Sequence, residues 1–231
     1  MMEYDEGPIV QEQAHSSVSA NAFLTKVFFR MFLGLLATAI IAAYTYYSGL
    51  LEDIITSGAF VAIIIAEIIV AITFSLGLRK FSPGVVTTLF FVYSLLTGVT
   101  FSCIFAVFEL ESIAYVFLGT SAVFGVLAYI GKNTTKDLTK FGTILMVALI
   151  VAIVISVINL FVGNTFLDIA LDWAILAIFM GFTIYDMNKI LALRDANYAE
   201  EEKLYVYGAM ELYLDFINLF IRLLSLFGRR K

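Results

Sequence analysis

A polar stripe runs through an apolar segment near the end of the chain, ELYLDFINLFIRLL (211–224). Its four members are Glu211, Asp215, Asn218 and Arg222. Steps of four, three and four residues keep them within about 60° of one helix face, at ~100° per residue. Since an ionisable group at the bilayer centre costs about 2.5–3.5 kcal/mol on insertion scales, the stripe must face protein or water. We therefore predict that this helix is central and that the stripe lines an ion pathway.

Two more acidic side chains lie within apolar segments, Glu67 in AIIIAEIIVAI and Asp186 in GFTIYDMNKI. Counting from the short loop between the last two segments puts Asp186 and Asp215 at depths roughly 6 Å apart, at ~1.5 Å per residue. We therefore expect their carboxyls to meet. Two carboxyls in contact in a low-dielectric site cannot both ionise cheaply, so they share a proton and titrate as a pair. Such a pair can sense pH and, when doubly ionised, offers the oxygen ligands that Ca²⁺ prefers.

Each of these residues also has a purely structural interpretation. Asp186 lies close enough to the membrane interface to extend into water, and Arg222 can balance charge near the opposite interface. Glu211 can pair with a neighbouring helix, while Glu67 and Asp215 can make buried hydrogen bonds. We favour the functional interpretation for Asp186, Glu67 and Asp215, of which the last two lie near the middle of their segments.

The elements that position these side chains are predicted membrane spans. Of the 231 residues, 61% are hydrophobic and 14% charged, with mean hydropathy +0.97, whereas soluble domains run near about 25% charged. Seven apolar segments are each near the ~20 residues that cross a ~30 Å hydrocarbon core as a helix. They are Val27–Tyr47, Gly58–Leu78, Gly84–Phe108, Ser112–Ile130, Phe141–Val162, Ile169–Asn188 and Leu204–Phe227. The predicted fold class is an all-α integral membrane protein with seven transmembrane helices, the C-terminal one central in the bundle.

The loops between these segments sort by charge. Those after spans two, four and six carry Arg79, Lys80, Lys132, Lys136, Lys140, Lys189, Arg194 and Lys203, and those after spans one, three and five carry no Lys or Arg. By the positive-inside rule, the first set and the N-terminus lie in the cytoplasm. The final GRRK (228–231) disagrees with the rule. Either these charges carry little weight once six spans are set, or the last segment does not cross fully; a full crossing is the favoured interpretation.

Residues 1–22 are predicted to form a polar N-terminal tail and residues 23–231 a single seven-helix transmembrane domain. The tail has no short apolar core and no cleavage pattern, so it is not expected to be a secretory signal peptide. The single histidine, His15, lies in this tail, and the single cysteine, Cys103, in an apolar run. No His/Cys metal site is therefore expected within the membrane. The expected partner is the lipid bilayer, with no cofactor and no nucleic acid; protein partners are not specified.

Two stretches, IYDMNKI (184–190) and LYLDFINLFIRLLSLFG (212–228), resemble the signature of the transmembrane Bax inhibitor motif (Bax inhibitor-1-like) family. The seven-span layout and acidic tail extend the resemblance over the whole chain. The resemblance implies a bacterial inner membrane protein with a pH-sensitive calcium leak, calcium being the transported ion. In eukaryotic relatives the family's function is suppression of cell death through organelle calcium.

The resemblance also implies roles for particular residues. The family's pH-sensing aspartate pair maps onto Asp186 and Asp215, which are also the candidate calcium ligands. Its acidic residue in the second helix maps onto Glu67. The candidate for the basic residue that latches the closed form, by contact with Asp186, is Arg79 at the end of span two, with Lys80 as the alternative. Glu67 is grouped with Glu211 and Asn218 of the stripe as the candidate ion pathway.

Other function classes fit this sequence less well, and we expect no enzyme. Intramembrane aspartyl proteases place Gly-x-Gly before the second catalytic Asp, where this chain has Leu212 and Leu214. A retinal photoreceptor is excluded because span seven contains no lysine for the Schiff base. A serine intramembrane protease is excluded because the spans contain no catalytic histidine. The alternative that stays open is a proton-coupled secondary transporter or a non-conducting membrane regulator. Helices broken by Gly or Pro are typical of transporters. The chain has only two prolines, Pro8 and Pro83, and Pro83 lies in a loop, which weakens the transporter interpretation without removing it.

Overall fold

The computed structural model is a helical bundle that describes residues 8–78, 80–196 and 198–231, with side chains from residue 20 onward. The helices are α1 (Pro8–Tyr47), α2 (Leu50–Thr56), α3 (Ala59–Gly77), α4 (Pro83–Val107), α5 (Leu110–Asn133), α6 (Thr139–Val162), α7 (Thr165–Asp195) and α8 (Glu201–Phe227). In the described part of the chain, extended structure is confined to a single antiparallel bridge between Phe108 and Arg230. The all-α fold class is confirmed.

Six helices are long and apolar enough to cross a membrane: α3 to α7, and α1 over Ala20–Tyr47. They correspond to the first six predicted spans, and the protein is an integral membrane protein. The six do not include α8, which has charged groups along its 27 residues and is enclosed by other helices. The seventh crossing therefore stays a prediction.

Helix bounds differ from the predicted spans in ways that affect the site. Helix α7 has 31 residues and is longer than the predicted span. It begins after Asn164, whose side chain caps it by accepting a hydrogen bond from the Leu167 backbone N–H at 3.2 Å. Asp172 and Lys189 therefore both lie on a helix. The short helix α2 fills a connection where no helix was predicted, between Gly49 at φ 83° and Gly58 at φ 75°. Positive φ favours glycine at both ends of it. Helix α1 begins at Pro8, inside the predicted tail, and the division of the chain at residue 22 stays a prediction.

Helix α8 is the centre of the bundle. Of its 27 residues, 15 are buried, compared with two of the 19 in α3. It packs against α1, α4, α5 and α7, and the Tyr207 ring stacks on Phe74 of α3 with centroids 6.5 Å apart. The prediction of a central C-terminal helix, made from the polar stripe, agrees with this packing.

The bundle has a basic end and an acidic end, defined by the loops that the sequence sorts by charge. At the basic end, Lys26 on α1 donates to the hydroxyl of Tyr205 on α8 at 2.9 Å. At the acidic end, Lys231 donates to the hydroxyl of Tyr46 on α1 at 3.2 Å. Helix α8 therefore runs the full length of the bundle, and the GRRK segment lies at the acidic end. Which end faces the cytoplasm stays a prediction.

Candidate functional site

The polar stripe of α8 faces α7. Near the basic end, Glu211 Oε1 lies 3.4 Å from Lys189 Nζ on α7. Near the acidic end, Arg222 Nη1 lies 2.6 Å from Asp172 Oδ1 on α7. Both ends of the stripe are therefore paired with the neighbouring antiparallel helix rather than facing lipid, as the cost of burying charge in hydrocarbon requires.

The first group of side chains in this interface, here called the carboxylate cluster, consists of Asp186, Lys189, Glu211 and Asp215. Lys189 is one helical turn from Asp186 and its Nζ lies 3.4 Å from Asp186 Oδ1, the same distance as from Glu211 Oε1. One ammonium thus holds a carboxyl on each of the two helices. The sequence places Lys189 in a loop, as one of the charges that predict topology. Its contact with the carboxyls of Asp186 and Glu211 was not predicted.

Asp215 lies deeper in the carboxylate cluster. It is 3% exposed, and its Oδ2 atom is buried without a hydrogen-bond partner in the described part of the chain. It interacts electrostatically with Asp186, Glu211 and Lys189, while Asp186 is itself 5% exposed. The structure therefore brings the two predicted sensor aspartates into one buried group. Three carboxyls around one ammonium leave excess negative charge when all are ionised, which gives the cluster a physical reason to hold protons or attract a cation.

Aromatic rings form one wall of the cluster. Lys189 Nζ lies 5.2 Å from the ring centroid of Tyr207 on α8 and 5.7 Å from that of Tyr185 on α7. Rings at this distance attract a cation through their quadrupole. Because Tyr207 also stacks on Phe74, the position of Lys189 is tied to α3 as well as to α7 and α8.

Glu67 belongs to a second polar layer. Its Oε1 atom accepts a hydrogen bond from the Thr100 hydroxyl of α4 at 2.9 Å, and it interacts electrostatically with Tyr93 and Tyr213. The Tyr213 hydroxyl lies 2.7 Å from the Thr38 hydroxyl of α1. The described partners of Glu67 are therefore on α4 and α8 and do not include the two aspartates. Tyr213 and Thr38 therefore add a buried hydrogen bond to this layer.

A third polar group closes the acidic half of the interface between α7 and α8. Besides its ion pair with Arg222, Asp172 accepts a hydrogen bond from the Ser225 hydroxyl at 2.5 Å. Asp172 is not among the predicted site residues, although it lies inside the predicted span Ile169–Asn188. An acidic residue within a span was the signal that should have singled it out.

One predicted site residue, Asn218, does not join these groups. The Asn218 amide donates to the Leu214 carbonyl of its own helix at 2.8 Å. This bond is local to α8 and does not connect the helix to a neighbour. Arg79, the predicted latch, lies outside the described residues.

The arrangement of ligands bears on the calcium prediction. Within residues 8–78, 80–196 and 198–231, no group of three or more Asp, Glu, His or Cys side chains is placed to hold a metal ion. Ca²⁺ takes six to eight oxygen ligands, and Asp186 and Asp215 together offer four. The two aspartates alone therefore do not complete a calcium coordination shell.

Comparison with known proteins gives matches along nearly the whole chain. Residues 20–231 match the sequence profile of the family described as "Inhibitor of apoptosis-promoting Bax1". The inner membrane protein YbhL of Escherichia coli (strain K12) is 37% identical over 231 residues, covering 96% of each chain. A protein of Borreliella burgdorferi is 36% identical over 216 residues, covering 91% of this chain and 93% of its own. A membrane protein of Streptococcus pyogenes serotype M1 is 30% identical over 219 residues, covering 93% and 95%.

Proposed function

The chain belongs to the Bax inhibitor-1-like family, and from this premise we propose that it is a pH-sensitive calcium leak channel gated by Asp186 and Asp215. The observation that carries the proposal is the buried carboxylate cluster, in which Lys189 holds Asp186 on α7 and Glu211 on α8 at 3.4 Å each. The protein would span the bacterial inner membrane seven times with its N-terminus in the cytoplasm. It would carry out no covalent chemistry.

Lys189 is the closing element of the proposed gate. Its ammonium attracts the carboxyls of both helices and so keeps α7 against α8, and it also interacts electrostatically with the buried Asp215. Protonation changes the charge of the carboxyls and therefore the strength of this attraction. A change in pH thereby shifts the equilibrium between a closed and a conducting arrangement of α7 and α8. Arg79 keeps its proposed role as a second latch.

The cation path would run along the interface between α7 and α8. Acidic groups in the loops at one end concentrate cations there, and the carboxyls of Glu211 and Asp215 supply oxygen ligands further along. The Arg222–Asp172 pair lies across this route near the acidic end, so the same route requires that pair to separate or to be bypassed. Glu67 and Asn218 would contribute polar groups beside the path.

The test is calcium flux into proteoliposomes that contain an indicator dye, at pH 6 and pH 8. We expect wild-type flux to differ between the two pH values, and we expect that difference to be lost in Asp186→Asn and in Asp215→Asn. Equal pH responses in wild type and both variants would contradict the proposed gate. Absence of wild-type flux at both pH values would remove the channel itself.

Asp137 offers a matched control for these carboxyl substitutions. It lies in the loop between α5 and α6, where the hydroxyl and the backbone N–H of Thr139 donate to Asp137 Oδ1 at 2.6 and 2.9 Å. These hydrogen bonds lower the pKa of Asp137, so it stays ionised at both pH 6 and pH 8. Asp137→Asn is therefore expected to leave the pH response of the flux unchanged.

A proton-coupled transporter is the second candidate, favoured by the polar layer around Glu67. A carboxyl within a span, such as that of Glu67, is typical of proton relays in transporters, and the hydroxyls of Tyr213 and Thr38 lie 2.7 Å apart in the same layer. A pH gradient imposed across the same proteoliposomes at equal calcium on both sides separates the two functions. Coupled transport would accumulate calcium against its gradient, whereas a leak channel moves none.

A further inference from the structure

An apolar groove of about 590 Å³ opens between α1 and α5. Its α1 wall extends from Phe28 to Ala39, its α5 wall includes Phe117 and Phe124, and its floor is Phe216 of the central helix. The only polar side chain in its lining is Ser121 of α5. Such a surface offers contact area for an apolar molecule and almost no hydrogen bonds, which is unlike the interface between α7 and α8.

The length of the groove matches one lipid acyl chain. The eleven steps from Phe28 to Ala39 rise about 16 Å at ~1.5 Å per residue. Half of a ~30 Å hydrocarbon core is about 15 Å, which is the depth that one leaflet's acyl chains span. Phe28 marks the end of the groove nearer the basic end of the bundle, and Ala39 lies close to the middle of the membrane. The groove therefore has the depth of one leaflet.

The shape of the groove argues against a helix from another chain. The groove narrows toward the basic end, where the rings of Phe28 and Phe124 pack edge to face at 6.5 Å. A flexible chain one methylene wide fits this taper better than a rigid cylinder.

A positive charge lies beyond the basic end of the groove. Lys132 comes eleven residues after Ser121 on α5, three helical turns along the same face. Its Nζ donates to the side-chain oxygen of Asn21 on α1 at 2.6 Å, and Asn21 is two turns from Phe28 on the face of α1 that lines the groove. Among the described residues, no carboxylate forms an ion pair with Lys132. An anionic phosphate at this level would neutralise it.

We propose that this groove retains one phospholipid from the leaflet at the basic end of the bundle, with an acyl chain along α1 and α5 and its phosphate at Lys132. The chain packs on Phe216, which adjoins Asp215 in the sequence. The lipid therefore supports the central helix on a side away from the carboxylate cluster. The proposal stands on the groove and its charge, independently of calcium conduction.

Native mass spectrometry of the full chain, purified in mild detergent and titrated with phosphatidylglycerol, tests the proposal. We expect wild type to retain one lipid per chain, and Ala39→Phe/Ser121→Phe, which fills the groove, to weaken this binding at least tenfold. Lys132→Gln should weaken it severalfold. The control Ile150→Phe/Val154→Phe adds bulk on the exposed face of α6 and should bind like wild type. Equal retention by the groove-filling variant and wild type would overturn the proposal, as would a wild-type dimer without lipid that the groove-filling variant loses.

A second measurement keeps the proposal testable when the groove-filling variant does not fold. Trp173 is the only tryptophan in the chain, so Phe32→Trp/Trp173→Phe moves the fluorophore to the edge of the groove. Phospholipid with brominated acyl chains quenches tryptophan on contact. Quenching that saturates at one lipid per chain in detergent supports the site, and quenching that rises without saturation contradicts it.

Discussion

Lys189 on α7 and Glu211 on α8 place their charged atoms 3.4 Å apart, and the same ammonium lies 3.4 Å from Asp186. The central helix is thereby tied to its antiparallel neighbour at the level of the two predicted sensor aspartates. Lys189 is 29% exposed and Asp186 is 7% exposed at the side chain, so the tie lies between a solvent-accessible ammonium and a buried carboxyl. Substitutions of Lys189 are therefore expected to weaken the contact between α7 and α8. Because Lys189 is partly exposed, they are expected to have little effect on the stability of the bundle.

Replacing Lys189 by methionine is expected to increase calcium leak. A partly exposed ion pair contributes at most about 1 kcal/mol, so losing the tie shifts an equilibrium between closed and conducting forms by roughly fivefold. We expect the leak to rise at both pH 6 and pH 8 in the proteoliposome assay. Lys140→Met, at an exposed residue near the start of α6, is the matched control. A Lys189→Met leak equal to that of wild type would show that the tie does not close the path.

Much of the bundle was predictable from the residues, because hydrocarbon imposes length and composition on every span. The polar stripe predicted the central position of α8, whereas the expected contact between the Asp186 and Asp215 carboxyls stays a prediction. Lys189 was not predicted to be a site residue because the predicted span ended at Asn188. The one-turn spacing from Asp186 becomes evident only on a helix that continues to Asp195. Spacing along the helix also does not determine which partner a side chain bonds. Asn218 lies on the stripe, yet its amide donates to a carbonyl of its own helix.

The ion pair between Arg222 and Asp172 is expected to fasten the acidic half of α8. With side chains 31% and 15% exposed, the pair is partly shielded from water, so we expect a coupling free energy of about 1 kcal/mol, at the upper end of values for exposed pairs. A double-mutant cycle on the free energy of unfolding in detergent, with Asp172→Asn and Arg222→Gln, measures it. Additive effects of the two substitutions would mean that the pair contributes nothing.

Gly131 on α5 is expected to tolerate no side chain. A Cβ atom there would lie 2.5 Å from the Ile184 carbonyl oxygen of α7, which is backbone and cannot move aside alone. Overpacking of this kind costs about 1–3 kcal/mol, so Gly131→Ala should lower the midpoint of thermal unfolding. Gly125→Ala on the same helix meets no atom within 4 Å and should be neutral or slightly stabilising, since alanine favours helix over glycine by about 0.5–1 kcal/mol. Similar losses for both variants would contradict the close approach of α5 and α7.

The segment 229–231 is expected to hold the turn between α4 and α5. The Glu109 backbone N–H donates to the Arg229 carbonyl at 3.0 Å, and the Lys231 backbone N–H donates to Val107 at 3.0 Å. The Lys231 ammonium also donates to the Phe105 carbonyl at 2.7 Å.

Removing residues 229–231 takes away the acceptor of the Glu109 amide, so its hydrogen exchange should accelerate tenfold or more. The amide of Asn164, which bonds to the Asn159 side chain in another turn at the same end, should exchange as in the full chain. If both amides accelerate equally, the segment stabilises the whole acidic end; if neither does, the bridge between Phe108 and Arg230 does not hold the turn.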